Sequence, residues 1–227
     1  MDSAEKLQFL KAFKGVVAGT DEAGRGPLAG PVMAAVVVLT PSQEEELLKL
    51  GLKDSKQLTP QKREKLFVKM CEMNVVWRAQ AVGVASIARL NISGASLWAM
   101  AQCVSKLPVR VGLVVVDGLY KFPDFSGSSP EQLPLVRADV LIPSVSAASV
   151  VAKVLRDRVM IALDRLYPLY GFAQHKGYPT KKHRDAVRAF GLSPVHRAAF
   201  CRKLLLERKK YERGKFADEE CLNVKKA

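Results

Sequence analysis

The sequence lacks the features that mark membrane proteins, secreted proteins and zinc proteins. None of its apolar runs reaches the roughly 18 uncharged residues of a membrane-spanning helix. Residues 1–14 include acids and no long apolar segment, so we expect no signal peptide. The four cysteines lie far apart and form neither a paired-cysteine metal motif nor a dense disulfide framework. We therefore expect reduced, buried or idle thiols in a cytoplasmic protein at Cys71, Cys103, Cys201 and Cys221.

Aromatic residues and histidines are also few, and acidic residues are fewer than basic ones. Aromatic side chains make up 7% of the chain, which disfavours a carbohydrate-cleaving acid pair. The three histidines, His175, His183 and His196, lie in basic loops or at helix ends, and we interpret them as structural or phosphate-facing rather than as a zinc site. Lysine and arginine total 36 against 22 acids, a formal net charge of +14. Such an excess favours a polyanionic partner, nucleic acid first, over a merely soluble basic protein.

The length and the apolar content predict one sizeable globular domain. The chain has 227 residues, 48% of them hydrophobic, which is enough for a substantial core. It shows no internal repeat and no convincing linker. We therefore predict a single domain over residues 1–227, with a helical C-terminal part at about 180–227.

The pattern of apolar residues predicts strands that alternate with helices. Thr59 and Pro60 form a helix start, since threonine caps and proline fits the first helical position. Such alternation favours a mixed α/β sheet. Strands are predicted at 15–20, 32–39, 75–82, 111–116 and 136–142; helices at 43–50, 60–73, 84–107 with a break near 91–94, 146–166 with Val150, Val154, Ile161 and Leu166 inward, 180–191 and 193–211; a loop at 121–133; and a turn-rich connection at 168–179.

The chain is organised around the acidic motif DEAGRG at residues 21–26. Adjacent acids at the end of a strand point to opposite faces, so Asp21 and Glu22 reach one site only if the chain bends there. Gly24 and Gly26 allow such a bend, and Arg25 between them is a candidate phosphate contact. A polar strand-to-turn junction with solvated acids is the alternative interpretation.

Two further acids stand at predicted strand boundaries. Asp117 follows an apolar strand, where a carboxylate is costly unless it is solvated, paired or bound to metal; an acid in the turn before Gly118 is the alternative interpretation. Asp139 is in a similar position, although a salt bridge or a capping role would also explain it. Oxygen ligands suit Mg²⁺ or Mn²⁺ rather than zinc, and two such ions can drive phosphodiester cleavage without a protein nucleophile.

Four other residues are candidates for contacts with substrate. Lys56, in a polar turn, could hold a phosphate or be an ordinary surface lysine. Ser146 stands at a predicted helix start, where the backbone amides could point at a phosphate, or its small side chain could only allow close packing. Lys153, with Arg156 and Arg158, could form a basic helix face, for which solvation is the default. Tyr178, in a Gly-Tyr-Pro turn, could stack on a sugar or base or pack within its turn.

Taken together and in order, these motifs resemble type 2 ribonuclease H, the bacterial ribonuclease HII group. The resemblance implies a ribonuclease H-like mixed sheet flanked by helices, and endonucleolytic cleavage of RNA in RNA–DNA hybrids. It also implies incision 5′ of a ribonucleotide embedded in duplex DNA, leaving 3′-hydroxyl and 5′-phosphate ends. The matching segments are GTDEAGRGPLAGPV at 19–32, LKDSKQLT at 52–59, VVVDG at 114–118, RAD at 137–139, SAASVVAKVLRDR at 146–158, HKGYPTKKH at 175–183 and GLSPVHRAAF at 191–200.

The resemblance also assigns roles to individual residues. It implies that Asp21, Glu22, Asp117 and Asp139 are the catalytic, metal-binding carboxylates, with two Mn²⁺ or Mg²⁺ ions in the substrate complex. The sequence departs from the usual pattern of the family at two positions: Arg137 stands where lysine is more usual, and Ala199 stands where serine is common. The implied substrate contacts are Gly24, Arg25 and Gly26, which would read the 2′-hydroxyl through the backbone; Tyr178, which would stack on the sugar; and Lys56, Ser146 and Lys153, which would bind phosphates.

Three alternative interpretations of the sequence make different predictions. The sister group, ribonuclease HIII, usually carries an N-terminal substrate-binding domain, for which we expect no room before Asp21. A nucleic-acid-binding module without catalysis would explain the charge but not four acids at strand ends. Another metal-dependent nuclease or an integrase on the same fold would differ only in substrate. We expect a monomer with no membrane partner, and a sliding-clamp interaction is left open.

Overall fold

The structure is a computed structural model that describes residues 2–53, 55–124, 127 and 130–207. Its residues fall into two compact units. The first unit comprises the residues up to Arg25 and Pro31–Arg158, and the second comprises Gly26–Gly30 and the residues from Val159 onward. The chain thus makes a short excursion into the second unit between its first two strands.

The first unit is a mixed five-stranded sheet with helices, as predicted. The strand order is β3-β2-β1-β4-β5; β1 is antiparallel to β2 and parallel to β4, β3 is antiparallel to β2, and β5 is parallel to β4. The elements are α1 (Ser3–Ala12), β1 (Val17–Ala23), β2 (Val32–Val38), α2 (Pro41–Lys49), a 3₁₀ turn (Ser55–Gln57), α3 (Pro60–Glu72), β3 (Val76–Val82), α4 (Val84–Ser105), β4 (Leu113–Asp117), β5 (Glu131–Leu135), α5 (Ala138–Leu141) and α6 (Pro143–Leu166), which continues into the second unit.

Both faces of the sheet are covered, which explains the continuous apolar runs of its strands. Successive side chains of β4 alternate between two core clusters: Val114 and Val116 pack in one, and Leu113 and Val115 in the other. All four are fully buried, and each contributes about 1.5–3 kcal/mol relative to exposure. The buried β4 is therefore a rigid base for Asp117 at its end.

Local sequence signals for helix starts and breaks are confirmed. Thr59 caps α3 by accepting a hydrogen bond from the Lys62 backbone N–H, and Pro60 is the first helical residue. The predicted break in α4 falls at Asn91, whose φ is 55°. The Asn91 side chain then accepts the Gly94 N–H at 3.0 Å and so restarts the helix.

The placement of the two adjacent acids differs from prediction. Asp21 and Glu22 lie within β1 rather than in a turn after it, and Glu22 pairs with Ala34 of β2. The bend comes at Gly24, whose φ is +96°. Pairing with β2 holds the two acids extended, because the antiparallel ladder continues to Ala23.

The predicted loop at 121–133 and the predicted strand at 136–142 are wrong in their boundaries. The observed strand β5 begins and ends earlier, at Glu131–Leu135, inside and just after the predicted loop. Residues 138–141 of the predicted strand form the short helix α5 instead. Pro134 is tolerated in β5 because β5 is an edge strand of the sheet. Arg137, with φ of 59°, turns the chain out of the strand and into the helix.

The second unit is built from short helical segments around its own core. Its elements are a 3₁₀ turn (Pro168–Tyr170), α7 (Phe172–His175) and α8 (Lys181–Phe190), followed by helical residues 202–207. Thr180 caps α8 as predicted, and Gly191 ends it. The core comprises Leu28, Ala29, Met160, Tyr170, Phe172, Val187, Cys201 and Leu204.

The predicted last helix at 193–211 is wrong at its start. Residues 193–201 form turns, because tertiary pairing competes with the helix: His196 bridges to Ala29, and the Arg197 N–H donates to Leu28. The end of that prediction lies outside the described residues.

The predicted inward face of α6 is correct only for its first half. Val150 and Val154 are buried, whereas Ile161 and Leu166 are exposed and Met160 is buried instead. Three cysteines are free thiols, Cys103 and Cys201 buried and Cys71 exposed, while Cys221 lies outside the described residues. Within the described part of the chain, no helix has the length and apolar character needed to cross a membrane.

Candidate active site

Three carboxylates meet where β1 and β4 approach their carboxyl ends. Thr20 pairs with Val116 in the parallel register, so Asp21 and Asp117 are the next residues of adjacent strands. Asp139 joins them from α5. Each of the three offers a carboxylate oxygen, and these oxygens all lie within 4.8 Å of one another.

Backbone amides and a serine hydroxyl hold this cluster in shape. Asp117 Oδ1 accepts the N–H groups of Ala138 at 2.8 Å and Asp139 at 3.4 Å, which are the first residues of α5. The Ser146 hydroxyl donates to the Asp139 carbonyl at 2.8 Å. The cap explains why residues 138–141 form a helix, and it fixes Asp139 relative to Asp117.

Burial and the neighbouring carboxylates raise the pKa of two of the clustered residues, Asp21 and Asp117. Burial is the main cause for Asp21, whose pKa lies well above its usual range, and the Glu22 and Asp117 carboxylates add to it. The pKa of Asp117 is raised by burial and then by Asp139, against the backbone N–H groups that lower it. Two adjacent charged carboxylates at Asp21 and Asp117 are therefore unfavourable without a cation between them.

The donor set fits a hard divalent cation. Asp21 Oδ2 is buried and makes no hydrogen bond in the described part of the chain, although buried carboxylate oxygens normally have a partner. The donors of the cluster are all carboxylate oxygens, which suit Mg²⁺ or Mn²⁺. A bound ion would supply the missing partner of Asp21 and offset the repulsion.

Glu22 is not one of the three clustered carboxylates. Its side chain pairs with Arg25, Oε1 to Nη1 at 3.4 Å, and its backbone N–H donates to Asp21 Oδ1 at 2.6 Å. Burial raises the pKa of Glu22, the Arg25 guanidinium opposes this, and Asp117 adds a smaller upward effect. Glu22 thus lies beside the cluster, and its pKa responds to the charge of Asp117. The alternation of side chains along a strand explains why Glu22 does not join Asp21 in the cluster.

Lys56 reaches the cluster from the loop before α3. Its Nζ lies 3.0 Å from Asp139 Oδ2, yet 76% of its side chain is exposed. The loop is anchored by Arg63, which donates to the Ser55 carbonyl at 2.9 Å, and by a 2.8 Å hydrogen bond between the Ser55 and Ser149 hydroxyls. Sequence reasoning missed Arg63, because nothing marks one arginine of a basic helix as buried.

Ser146 and Lys153 have partners within the protein. The buried Ser146 hydroxyl contacts backbone carbonyls of Asp139 and Ile142. Lys153 Nζ lies 2.7 Å from Asp157 Oδ1, and Arg63 lies 3.7 Å from the other oxygen of Asp157. Burial lowers the pKa of Lys153, and Asp157 opposes that effect.

The turn after β1 rests on a buried arginine. A Cβ at Gly24 would overlap the Nε and Cδ atoms of Arg156. Arg156 is fully buried and donates from Nε to the Pro31 carbonyl at 2.9 Å, so the solvated basic face predicted for it is wrong. Arg25 is half exposed and contacts the Ser93 hydroxyl at 3.1 Å.

The second unit holds Gly26, Tyr178 and the three histidines. A Cβ at Gly26 would lie 3.9 Å from the Tyr178 ring, and Tyr178 is 40% exposed. His183 and His196 are buried with their Nε2 atoms 3.0 Å apart, and the His175 ring stacks on His183. The histidines are thus structural in their contacts.

Comparisons with known sequences agree on one family. The family model described as Ribonuclease HII matches residues 18–203. Ribonuclease HII of Shewanella oneidensis is 46% identical over 196 residues, covering 85% of this chain and 91% of that protein. The crystal structure of ribonuclease H2 from Pyrococcus horikoshii is 28% identical with a TM-score of 0.69, covering 86% of this chain and 99% of that one. Ribonuclease HII of Archaeoglobus fulgidus, solved in complex with PCNA, is 26% identical with a TM-score of 0.65, covering 80% and 91%.

Proposed function

Because the chain belongs to the ribonuclease HII family, we propose that it is an endoribonuclease that hydrolyses the RNA strand of RNA–DNA hybrids and incises 5′ of ribonucleotides embedded in duplex DNA. The observation that carries the proposal is the cluster of the buried Asp21 and Asp139 with the half-buried Asp117, in a protein of charge +14. A polyanion is attracted to the basic protein, but carboxylates repel phosphate unless a cation lies between them.

The carboxylates would hold divalent ions, with Glu22 contributing from the border of the cluster. Such ions would supply an activated water and a charge that stabilises the leaving oxygen, giving 3′-hydroxyl and 5′-phosphate ends. The α5 N–H groups hold the Asp117 carboxylate and Ser146 holds the backbone carbonyl of Asp139, so the two residues keep a fixed relative position. The exposed Lys56 would contact a substrate phosphate while it offsets the charge of Asp139.

The glycine-rich turn would distinguish RNA from DNA. Backbone groups of Gly24, Arg25 and Gly26 can approach a 2′-hydroxyl closely, since two of these residues have no side chain. Tyr178 would stack on the sugar beside the junction. Lys153 would act on phosphate only by exchanging its Asp157 partner, so it is the least supported of the proposed contacts.

The decisive experiment uses a labelled DNA duplex with one ribonucleotide, tested with Mg²⁺, with Mn²⁺ and with chelator. We expect metal-dependent incision immediately 5′ of the ribonucleotide, and the two metals compared at equal concentration identify the better ion. If the protein cleaves only a second duplex that contains a run of several ribonucleotides, the result supports cleavage of hybrids and contradicts incision at single ribonucleotides. Absence of cleavage of either substrate with any metal would favour a binding module.

Removal of the Tyr178 ring should selectively impair cleavage at single ribonucleotides. Stacking on an aromatic ring is worth about 1–3 kcal/mol, so Tyr178→Ala should lower kcat/KM on the one-ribonucleotide duplex roughly 5- to 150-fold. Tyr178→Phe keeps the ring and is the matched control, with a much smaller expected loss. Steady-state kinetics measure both, and an unchanged Tyr178→Ala rate would exclude Tyr178 from the site.

The protein partner and the oligomeric state are two further proposals. The Archaeoglobus fulgidus relative was solved with PCNA, which supports a sliding clamp as a candidate partner of this chain. We further propose that the protein is a monomer and that its two units serve one catalytic function. Light scattering of the protein, alone and with a clamp, measures its oligomeric state and its binding to the clamp.

A further inference from the structure

The backbone of Tyr178 is held by a buried histidine. The turn before it is tight, with positive φ at both Lys176 and Gly177. The Tyr178 carbonyl oxygen lies 2.9 Å from His183 Nδ1 and also accepts the Thr180 N–H at 2.8 Å. His183 is fully buried, so its ring is a fixed support and not a surface contact.

A second histidine extends this contact into a chain. His183 Nε2 lies 3.0 Å from His196 Nε2, and His196 Nδ1 lies 3.0 Å from the Ser193 backbone nitrogen. The partners at the two ends fix the direction of every hydrogen bond. The Tyr178 carbonyl can only accept, and the Ser193 N–H can only donate.

Only one set of neutral tautomers satisfies this chain. His183 must donate from Nδ1 to Tyr178, so its Nε2 accepts. His196 must then donate from Nε2, and its Nδ1 accepts from Ser193. Burial lowers the pKa of both rings to about 4, so the chain stays neutral and directional at neutral pH.

The same histidine also holds the segment that follows the glycine-rich motif. The backbone of His196 bridges to Ala29, and the Gly30 N–H donates to the Val195 carbonyl at 2.8 Å. On the other side, the Leu28 N–H donates to the Gly177 carbonyl at 2.8 Å.

The close approach at Gly177 tightens this arrangement. A Cβ at Gly177 would lie 2.6 Å from the Ala29 carbonyl oxygen, so the two backbones touch. The Tyr178 turn and the Gly26–Gly30 segment are therefore held in register by one set of contacts.

We propose that the Ser193–His196–His183 hydrogen-bond chain is a positioning device that fixes Tyr178 relative to the Gly26–Gly30 segment and thereby sets the preference for single ribonucleotides. The inference rests on the proposed function. His183 and His196 touch no substrate in this account and act only through Tyr178. They are positioning residues for a reaction carried out by the carboxylates.

A pair of substitutions at His183 separates this role from general stability. The amide nitrogen of asparagine matches the position of Nδ1, so His183→Asn can still donate to the Tyr178 carbonyl. The longer glutamine matches Nε2, so His183→Gln keeps the contact with His196 and loses the one with Tyr178. Both variants remove the same buried ring, and a purely structural role predicts equal effects.

The readout is the ratio of kcat/KM on a one-ribonucleotide duplex to that on a continuous RNA–DNA hybrid. We expect His183→Gln to lower this ratio roughly 10-fold, approaching Tyr178→Ala, because an unpositioned ring no longer stacks. His183→Asn should stay within about 3-fold of the parent ratio. Equal losses on both substrates, in step with a lower Tm, would overturn the proposal.

A double-mutant cycle tests whether His183 acts through Tyr178. Combining His183→Gln with Tyr178→Ala should lower the ratio no further than Tyr178→Ala alone, since the ring that His183 positions is already gone. Multiplicative effects would contradict the proposal.

The tautomers themselves give a readout that does not depend on activity. Long-range ¹H–¹⁵N NMR on the intact protein at neutral pH should show His183 protonated at Nδ1 and His196 at Nε2. A charged ring or the opposite tautomers would refute the chain. If the parent protein cleaves neither substrate, the proposed function and its selectivity role both fail, and the NMR result alone then decides whether the chain exists.

Discussion

Replacing Asp117 by asparagine should lower turnover by at least about 100-fold while leaving hybrid binding largely intact. Loss of a residue that only supports a metal ligand already costs 10- to 100-fold, and Asp117 is itself in the carboxylate cluster. The asparagine oxygen can still accept the α5 N–H groups that Asp117 Oδ1 accepts, so the local shape is kept. Single-turnover cleavage and hybrid binding in chelator measure the two effects separately.

The raised pKa of Asp117 also predicts the direction in which Asp117→Asn changes the stability of the protein. The pKa of Asp117 is raised in the folded protein, so between its unfolded and folded values the native state binds more protons. Stability in chelator therefore falls as pH rises through that window, and the neutral asparagine lacks this loss. We expect Asp117→Asn to have an equal or higher Tm than the parent in chelator at neutral pH.

A surface aspartate supplies the matched control. Asp185 is paired with Lys181 and Arg188, and the hydrogen bond from Lys181 is the main cause of its lowered pKa. Asp185→Asn should leave cleavage unchanged and not raise Tm. A drop in hybrid binding as large as the drop in turnover for Asp117→Asn would show that Asp117 is structural.

Gly24→Ala should lower cleavage of both substrates by about 100-fold or more. Its φ of +96° strains any side chain, and the new Cβ would overlap the buried Arg156 side chain. Arg156 is packed and bonded to Pro31, so the turn and not the arginine must shift. Displacing an aligned group by about 1 Å can cost 10²-fold in rate.

The control for strain without overlap is Gly51→Ala. Gly51 has φ of +81°, but the nearest atoms to its Cβ are the far end of the Lys62 side chain at 3.5 and 3.6 Å. Both variants should lose roughly 1–3 kcal/mol of stability through backbone strain, seen as a lower Tm. Only Gly24→Ala should lose activity, and equal activity of the two variants would rule out a role for the turn.

The sequence predicted what depends on local pattern. Thr59 and Pro60 mark the start of α3, and the break at Asn91 is visible from composition alone. The mixed sheet was predicted from apolar runs that are separated by segments of helical periodicity. The resemblance to a known family assigned the catalytic role to the four acids. These features depend on propensities and spacing, which a single chain displays directly.

What depends on tertiary contacts was not predictable. Nothing in the basic run around Arg156 says that this side chain is fully buried while Arg158 pairs with Glu64 at the surface. Residues 138–141 have a strand-like composition, and they become helical because Asp117, more than twenty residues earlier, caps them. His196 likewise leaves a predicted helix because it bridges to Ala29.

The excursion of Gly26–Gly30 into the second unit also constrains the order of events during synthesis. The Gly30 carbonyl accepts from Arg197 Nε, a residue 167 positions later in the chain. The segment beside the catalytic strand therefore waits, on a growing chain, until most of the protein has left the ribosome. Contacts of such long range slow folding and leave the nascent chain open to aggregation. A ribosome-bound chain that stops before Arg197 should consequently be a substrate for chaperones even when β1 to β5 are already complete.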